Sequence, residues 1–295
     1  MDDASLNQPG ASGFASGTGC GASDAHLPAE RRMLDQHSGS VVINADDWGR
    51  DSNTTDRILH CVQRRVVSSV SAMVFMEDSE RAADVAREQG VDAGLHLNLS
   101  TRFSAPQCPP DLMVQQQQCT RFLRSHRLAP VFYHPCLAAS FQSVVQAQWD
   151  EFERIYGHAP NRVDGHHHMH LCANVLLAKL LPPGIIVRRN FSFLHGEKSF
   201  LNRAYRSRQD RALARRYSVT DLFFALRPLH PISRLEEIFS LARRHAIEIE
   251  THPVDQEEFD FLTQGGLLDC MGEARVAQGY FPLAGDAISN AEEKA

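Results

Sequence analysis

The strongest constraint on the fold is a regular alternation of short apolar runs with longer stretches of helical periodicity, beginning at residue 40. Strands that alternate with helices favour a parallel sheet with helical crossovers. Seven or eight such units in a chain of 295 residues predict an irregular α/β fold of the (β/α) barrel type, similar to a TIM barrel, with about seven parallel strands. An open doubly wound sheet is the alternative.

The same patterns predict individual elements. Ser79 and Ser233 are expected to cap the N-termini of two helices, and Glu236 completes a capping box with Ser233. Residues 101–142 show weak periodicity and are expected to form an irregular insertion or mobile loop on the substrate side. The predicted strands cover residues 41–44, 69–75, 94–99, 162–164, 185–187, 222–224 and 247–250, and the predicted helices cover 55–65, 79–89, 143–156, 173–181, 198–216, 233–245 and a stretch from 256.

Composition divides the chain into three parts. Residues 1–39 are rich in small and polar residues, which predicts a disordered N-terminal leader. Residues 40–285 have no repeat and no second composition class, so a single barrel domain is expected there, followed by a C-terminal tail at 286–295.

Charge and cysteine usage exclude several classes of partner. A net charge of -6 and a pI near 6.2 provide no positive field for nucleic acid or anionic lipid. The seven cysteines are odd in number and form no CxxC pair, which indicates reduced thiols and a cytoplasmic location. No apolar run reaches the roughly 18 residues of a membrane helix, and the N-terminus has no apolar stretch typical of a secretory signal.

Unusual polar residues stand at the ends of four predicted strands. Asp46 and Asp47 end the first strand, His96 lies in the third, the histidine run 166–170 follows the fourth, and His252 follows the last. Active sites of barrels lie where the carboxyl ends of parallel strands converge. The sequence therefore predicts that these groups share one pocket.

The aspartate pair alone does not define a site. If the strand persists, the carboxylates of Asp46 and Asp47 point in opposite directions, and if it turns they can divide the work of binding a metal and accepting a proton. Taken alone, the pair is better explained by a turn in which an aspartate caps a helix.

The histidine run is the stronger signal, because four histidines fall within five positions. In an extended stretch His166, His168 and His170 share one face and His167 faces away. Imidazole is the commonest metal ligand, so a metal or catalytic role is favoured over a surface loop. Spacing does not choose among the four.

A third ligand and a proton donor complete the set. His96 alone is typical of a hydrogen-bonded core residue, but one aspartate and two histidines leave coordination positions open for water and substrate. Zinc, manganese and magnesium are all compatible with that set. His252, before Pro253, is placed to protonate a leaving amine, although a turn histidine without a role fits as well. No GxSxG elbow or phosphate-binding glycine loop occurs in the sequence.

Taken together, these motifs resemble the YdjC-like (ChbG-type) carbohydrate deacetylases. INADDWG at 43–49 resembles the NADDFG signature of that family, and GLHLNL at 94–99 resembles its G-[LM]-H-x-x-L motif. VDGHHHMH at 163–170 resembles [VL]-D-[SG]-H-x-H-x-H. TDLFF at 220–224 and ETHP at 250–253 resemble two later blocks, in the family order.

The resemblance implies a distorted (β/α) barrel that removes N-acetyl groups from amino sugars or short chito-oligosaccharides with a divalent metal, magnesium in the family and zinc as the other candidate. Arg188, after the fifth strand, is expected to bind substrate or support the site. The residues that the resemblance assigns are the metal ligands Asp47, His96 and His166, the general base Asp46, the acid His252, and Asp164 and His168 as residues that line or support the site.

The departures from the family pattern affect the substrate side. Asn161-Arg162 stands where Thr-His is usual, and Trp48 replaces phenylalanine. The open alternatives are another metal-dependent amidase, a phosphoesterase that uses Arg188 and Arg189, and an inactive homologue that binds carbohydrate or metal. Beyond the carbohydrate substrate, a homodimer is left open.

Overall fold

The computed structural model describes residues 39–280, and a parallel sheet forms the centre of this part. Seven strands follow one another in the order β5-β4-β3-β2-β1-β7-β6, all paired in parallel, while the short β8 pairs with the start of β1. The strands are β1 (Ser40–Trp48), β2 (Ser69–Ala72), β3 (Ala93–Leu97), β4 (Arg162–Gly165), β5 (Ile186–Val187), β6 (Leu222–Ala225), β7 (Ile247–Thr251) and β8 (Arg275–Val276).

The sheet curls so that its two edges meet. Ser218, just ahead of β6, accepts a hydrogen bond from Val187 of β5 and donates one to Ile185. These bonds bring the free edge of β5 to the start of β6. The expected irregular (β/α) barrel with seven parallel strands is confirmed, and the open doubly wound sheet is not adopted.

Helices cover the outside of the sheet and explain the apolar character of its strands. In β1, eight of nine residues are buried, as expected for a parallel strand that is covered on both faces. Trp48 at its end is fully buried and donates its indole N–H to the carbonyl of Ala82. The helices are α1 (Ser52–Gln63), α2 (Ser79–Gln89), α3 (Pro110–Leu123), α4 (Ala138–Tyr156), α5 (Ala173–Leu177), α6 (Phe200–Leu213), α7 (Ile232–Ser240), α8 (Gln256–Thr263) and α9 (Gly266–Cys270).

The expectation of an irregular insertion or mobile loop at 101–142 is wrong. This stretch contains α3, two short 3-10 helices at 129–131 and 135–137, and the first turn of α4. Leu112, Gln116, Cys119 and Leu123 form the buried face of α3 at helical spacing. The polar Gln116 lies on that face because its amide donates to the carbonyl of Thr101, and this polar residue obscures the apolar period in the sequence.

Both predicted N-caps are also wrong. Ser79 is the first residue of α2, where its hydroxyl accepts from the amide of Met76 and donates to the carbonyl of Met73. Ser233 lies one residue inside α7, and no side chain caps that helix. In α2 the serine hydroxyl stabilises the loop before the helix instead of its first turn.

The remaining features concern the ends of the chain and its cysteines. The predicted leader (1–39, except Gly39) and tail (286–295) lie outside the described residues. The six described cysteines are all free thiols, as expected from the sequence. Within residues 39–280 no helix is both long and apolar enough to cross a membrane. After α9 the chain forms β8, a strand that the sequence patterns do not predict.

The short helix α9 provides a matched test of packing at the end of the barrel. Leu267 is fully buried and its neighbour Leu268 is 59% exposed, although both belong to one helix. We expect Leu267→Ala to lower the free energy of unfolding by about 2–5 kcal/mol, because it leaves a cavity in the core. Leu268→Ala should change it by less than about 0.5 kcal/mol. Urea unfolding measures both, and equal effects would contradict the packing described for α9.

Candidate metal centre

Residues from four strand ends surround one cavity of about 320 Å³. Asp46 and Asp47 come from the end of β1, His96 from β3, His166 from the segment after β4 and His252 from the turn after β7. All lie at the carboxyl end of the barrel, as the sequence predicts. The structure thus brings together residues that are separated by more than two hundred positions in the chain.

The two adjacent aspartates point to different partners because the backbone is irregular at Asp47. Asp47 has a φ of 71°, a left-handed conformation inside β1, and the register of β1 with β2 shifts between Ala45 and Trp48. The carboxylate of Asp46 lies against Arg188, whereas Asp47 points toward His96 and His166. The strand persists through the pair, as one of the two arrangements expects, but an irregularity at Asp47 gives the two carboxylates different partners.

Asp47, His96 and His166 form a compact group of ligand-type atoms, all within 4.8 Å of one another. Asp47 Oδ1 lies 2.8 Å from His166 Nδ1 and 3.3 Å from His96 Nε2. Both Asp47 Oδ1 and His96 Nε2 are buried and make no hydrogen bond. Buried polar atoms without partners are costly, and a cation between them would satisfy both. The group can therefore hold a metal ion.

The orientation of His96 is fixed by a second carboxylate. His96 Nδ1 lies 2.7 Å from Asp164 Oδ1, and this contact directs Nε2 toward Asp47. Asp164 is itself held, because its Oδ2 accepts from the hydroxyl of Ser71 and lies 2.9 Å from Arg188. A carboxylate behind a histidine ligand fixes the tautomer and the ring position of that ligand. Asp164 thus supports the group without belonging to it.

The neighbouring set Asp46, His96 and Asp164 also meets the distance requirement for a metal site. Its oxygens, however, already have partners. Both oxygens of Asp46 accept from Arg188, Oδ1 of Asp164 binds His96 and Oδ2 accepts from Ser71. His96 belongs to both groups, and the first is the better candidate because its carboxylate oxygen, Asp47 Oδ1, lacks a hydrogen bond.

Arg188 is the hub of the charges beneath the cavity and is 2% exposed. Its guanidinium forms a bidentate pair with Asp46 at 2.7 and 2.8 Å, and it lies 2.7 Å from Glu248 and 3.5 Å from Glu250. Together with Asp164, four carboxyl groups therefore surround one buried cation. These contacts occupy the guanidinium nitrogens and leave Arg188 no free face for a substrate phosphate.

The charges shift the pKa values of these carboxyl groups in opposite directions. Burial raises the pKa of Asp46, but Arg188 and His96 outweigh it and hold that pKa below its ordinary value. Burial also raises the pKa of Glu250, and the nearby Asp46 adds to the effect, so that pKa lies well above its ordinary value. Asp46 is thereby kept as an anion, while Glu250 tends to keep its proton.

The pKa values of two candidate ligands, Asp47 and His96, are shifted as well. Burial raises the pKa of Asp47, but His166 and His96 outweigh it and place that pKa well below its ordinary value. Burial lowers the pKa of His96, but Asp46 and Asp164 outweigh it and raise that pKa to about 10. The surplus of carboxylates favours positive charge at this position.

The histidine run is not extended, so the expectation that three of its members share a face is wrong. Residues 166–171 form two 3-10 turns, with left-handed conformations at His167 and His168. The bend sends each ring to a different partner. His166 lies on Asp47, His167 on the hydroxyl of Ser100, His168 near Glu250, and His170 on the carbonyl of Arg188.

His252 lines the same cavity and is half-buried. Its backbone N–H donates to Glu258, which also accepts from the hydroxyl of Thr251. The carboxylate of Glu258 thus fixes the turn at the end of β7 and leaves the imidazole at the cavity.

Sequence reasoning missed four residues that the structure brings to the site. Arg50 pairs with Oδ2 of Asp47 at 2.8 Å, and Ser71 holds Asp164. Glu248 and Glu250 lie on β7 and reach Arg188. The signal for the last two was present, because two glutamates within a strand that is otherwise apolar indicate buried charges with partners.

The chain is similar in sequence to proteins of one family. A family model described as YdjC-like protein matches residues 40–272. A carbohydrate deacetylase of Mus musculus is 29% identical over 148 residues, which is 46% of this chain and 44% of the mouse protein. A chitooligosaccharide deacetylase of Proteus mirabilis is 26% identical over 132 residues, 44% of this chain and 50% of the bacterial protein. The matched region spans about half the length of these curated relatives.

A solved structure supports the fold. A protein of Enterococcus faecalis V583 that carries the provisional name cellobiose-phosphate cleavage protein superposes with a TM-score of 0.57 at 18% identity. The match covers 83% of this chain and 98% of the other. At this identity the likeness concerns the barrel alone.

The contact between Asp164 and His96 predicts how tightly a divalent ion is held. We expect Asp164→Asn to weaken zinc binding about 10- to 100-fold, because His96 loses the carboxylate that orients it. Isothermal titration calorimetry with zinc measures the change. Asp78→Asn is the control, since Asp78 is also buried and pairs with Arg81 away from the cavity. Unchanged affinity in Asp164→Asn would contradict this supporting role.

Proposed function

The chain belongs to the YdjC-like protein family, and from that premise we propose that it is a metal-dependent deacetylase that hydrolyses N-acetyl groups on amino sugars or short chito-oligosaccharide-like substrates. One observation carries the proposal. Asp47 and His96 each place a buried ligand-type atom without a hydrogen bond at the cavity. Asp46, at the same strand end as Asp47, adds a separate carboxylate whose pKa is lowered. Relatives that are named carbohydrate or chitooligosaccharide deacetylases support this substrate class.

Asp47, His96 and His166 would hold the ion. A bound divalent cation supplies Lewis-acid polarisation of the acetyl carbonyl and activation of water at neutral pH. We take the ion to be magnesium, as the family resemblance implies, with zinc as the alternative because imidazole ligands also suit zinc.

Asp46 serves as the general base in this proposal. Its bidentate pair with Arg188 fixes the carboxylate and favours its anionic form. As water attacks the acetyl carbon, Asp46 accepts the proton that the water loses. This assignment explains why two adjacent aspartates have different surroundings, since one faces ligand atoms and the other faces a guanidinium.

His252 serves as the general acid. When the bond between the acetyl carbon and the sugar nitrogen breaks, His252 donates a proton to that nitrogen, and acetate and the free amine leave. The place of His252 in the lining of the cavity and the turn fixed by Glu258 support this role.

We also take the free thiols of the described cysteines as support for a cytoplasmic location.

The phosphoesterase alternative has less support. Arg188 is surrounded by carboxylates, and Arg189 pairs with Asp210 at 2.9 Å and donates to the carbonyl of Thr220. Neither guanidinium is therefore available to a phosphate group. An inactive binding protein is disfavoured because Asp46 lies at the same cavity as the ligand group.

Acetate release tests the reaction and its dependence on metal. We expect the protein to release acetate from N-acetylglucosamine oligomers, and we expect EDTA or His166→Ala to remove the activity, because both remove the ion. His158→Ala is the matched control, since His158 is exposed and hydrogen-bonds only locally among the contacts described. Activity that survives both EDTA and His166→Ala would rule out the metal-dependent mechanism.

The two proton-transfer roles make a separate prediction. We expect Asp46→Asn and His252→Gln each to lower kcat about 10²- to 10⁴-fold while bound metal stays unchanged. Steady-state kinetics and metal analysis on the same preparations measure both quantities. Loss of metal in Asp46→Asn would make Asp46 a ligand instead of a base. If Glu250→Gln lowers kcat and His252→Gln does not, the acid is Glu250.

A further inference from the structure

Arg50 is a charged side chain at the candidate metal centre to which the proposed function gives no role. It lines the cavity together with Asp47, His96 and His166. Its side chain is 28% exposed, whereas that of its partner Asp47 is 4% exposed. An ion pair with a partly exposed member contributes little to stability, so stability alone does not account for a cation at this place.

A tight turn at the end of β1 places Arg50 beside Asp47. The backbone N–H of Arg50 donates to the carbonyl of Asp47 at 3.1 Å, and Gly49 in this turn has a φ of 85°. A side chain at Gly49 would be strained in this left-handed conformation, and its Cβ would lie 3.2 Å from the carbonyl oxygen of Met73. The turn therefore returns the guanidinium to the carboxylate three positions earlier.

The start of α1 fixes the other side of the guanidinium. Nε of Arg50 donates to Oδ2 of Asp51 at 3.0 Å, and Nη2 donates to the hydroxyl oxygen of Thr54 at 3.2 Å. Asp51 is itself held, because its Oδ1 accepts from the backbone N–H of Thr54 and caps the helix. Nη1 is thereby directed to Oδ2 of Asp47, at 2.8 Å. Three nitrogens with three different partners hold the planar fork in one orientation.

The two oxygens of Asp47 consequently have different surroundings. Oδ2 accepts the hydrogen bond from Arg50. Oδ1 makes no hydrogen bond and lies 2.8 Å from His166 Nδ1 and 3.3 Å from His96 Nε2. A carboxylate can bind a cation through one oxygen or through both. With Oδ2 held by Arg50, Asp47 has one oxygen to offer.

The number of oxygens that Asp47 offers determines how open the centre is. Three protein ligands that each use one atom leave positions for water and substrate, as a catalytic ion requires. A second oxygen from Asp47 would take one of those positions. We propose that Arg50 is a positioning residue that restricts Asp47 to binding through one oxygen and so keeps one coordination position open. This inference rests on the proposed function, because it takes the ligand group from it.

The proposed role and a merely orienting role predict opposite changes in cation affinity. A guanidinium beside a ligand repels a bound cation, so its removal favours cation binding. If Arg50 also withholds Oδ2, its removal adds a ligand atom, and both changes make binding tighter. Loss of a side chain that only orients a ligand instead weakens binding, commonly about 10- to 100-fold.

Calorimetric titration of the metal-free full chain with zinc measures this sign. We expect Arg50→Met to bind zinc at least about threefold more tightly than the wild-type chain. Arg81→Met is the matched control, because Arg81 pairs with Asp78 at the same spacing of three residues, at 2.7 Å, and does not line the cavity. Its zinc affinity should stay unchanged. Unchanged or weaker zinc binding in Arg50→Met would overturn the proposal.

Imidazole reports whether a coordination position is open, and as a neutral probe it is not attracted by the charge of Arg50. The full chain is loaded with cobalt(II) and titrated with imidazole, and visible absorption follows the binding. We expect Arg50→Met to bind imidazole at least about tenfold more weakly, because the probe must displace Oδ2 of Asp47. Arg81→Met should match the wild-type chain. Equal imidazole affinity in the two variants would contradict the proposal.

A crystal of the wild-type chain soaked in zinc provides a test that does not depend on whether Arg50→Met folds. Zinc should be bound by Oδ1 of Asp47 alone, and Oδ2 should stay in contact with Arg50. Zinc bound through both oxygens would show that Arg50 does not restrict Asp47, and the proposal would be wrong.

Failure of this inference is distinguishable from failure of the proposed function. If Arg50→Met binds zinc more tightly but the wild-type chain releases no acetate, the role of Arg50 holds and the deacetylase assignment fails. If acetate is released but Arg50→Met binds zinc more weakly, the deacetylase assignment holds and the role of Arg50 fails. A wild-type chain that binds no divalent ion contradicts both.

Discussion

The candidate site depends on one buried cation, Arg188, and the carboxyl groups that surround it. Removing one partner of a buried, hydrogen-bonded ion pair commonly costs about 3–5 kcal/mol, so Arg188 and its partners must be considered together. From the guanidinium one set of contacts runs to Asp46, and another runs through Asp164 and His96 toward Asp47. Both the proposed base and the proposed ligand group thus take their orientation from the same side chain.

The network also ties the site to the body of the barrel. Glu248 binds Arg188 on one side and accepts from the hydroxyl of Tyr280 on the other. Tyr280 follows β8 near the end of the described chain and donates its backbone N–H to Asp92. Contacts from the last described residues therefore reach the cavity through two carboxylates and one guanidinium.

The sequence predicts the barrel and the convergence of its strand ends, because apolar runs and polar clusters are properties of neighbouring residues. It does not predict which way each side chain points. The left-handed conformations at Asp47 and within the histidine run decide that, and the side chains there meet partners far away in the chain. The partners of Arg188 on β7 lie about sixty positions away in the chain, and only the fold brings them together. The sequence patterns also fail to predict α3, because the buried Gln116 interrupts the apolar period of its inner face.

Anomalous diffraction from a crystal soaked in zinc would show which side chains hold the ion. We expect one peak within roughly 2.0–2.2 Å of a carboxylate oxygen of Asp47 and of nitrogens of His96 and His166. A peak bound instead by Asp46, His96 and Asp164, or no peak at the cavity, would contradict this ligand assignment.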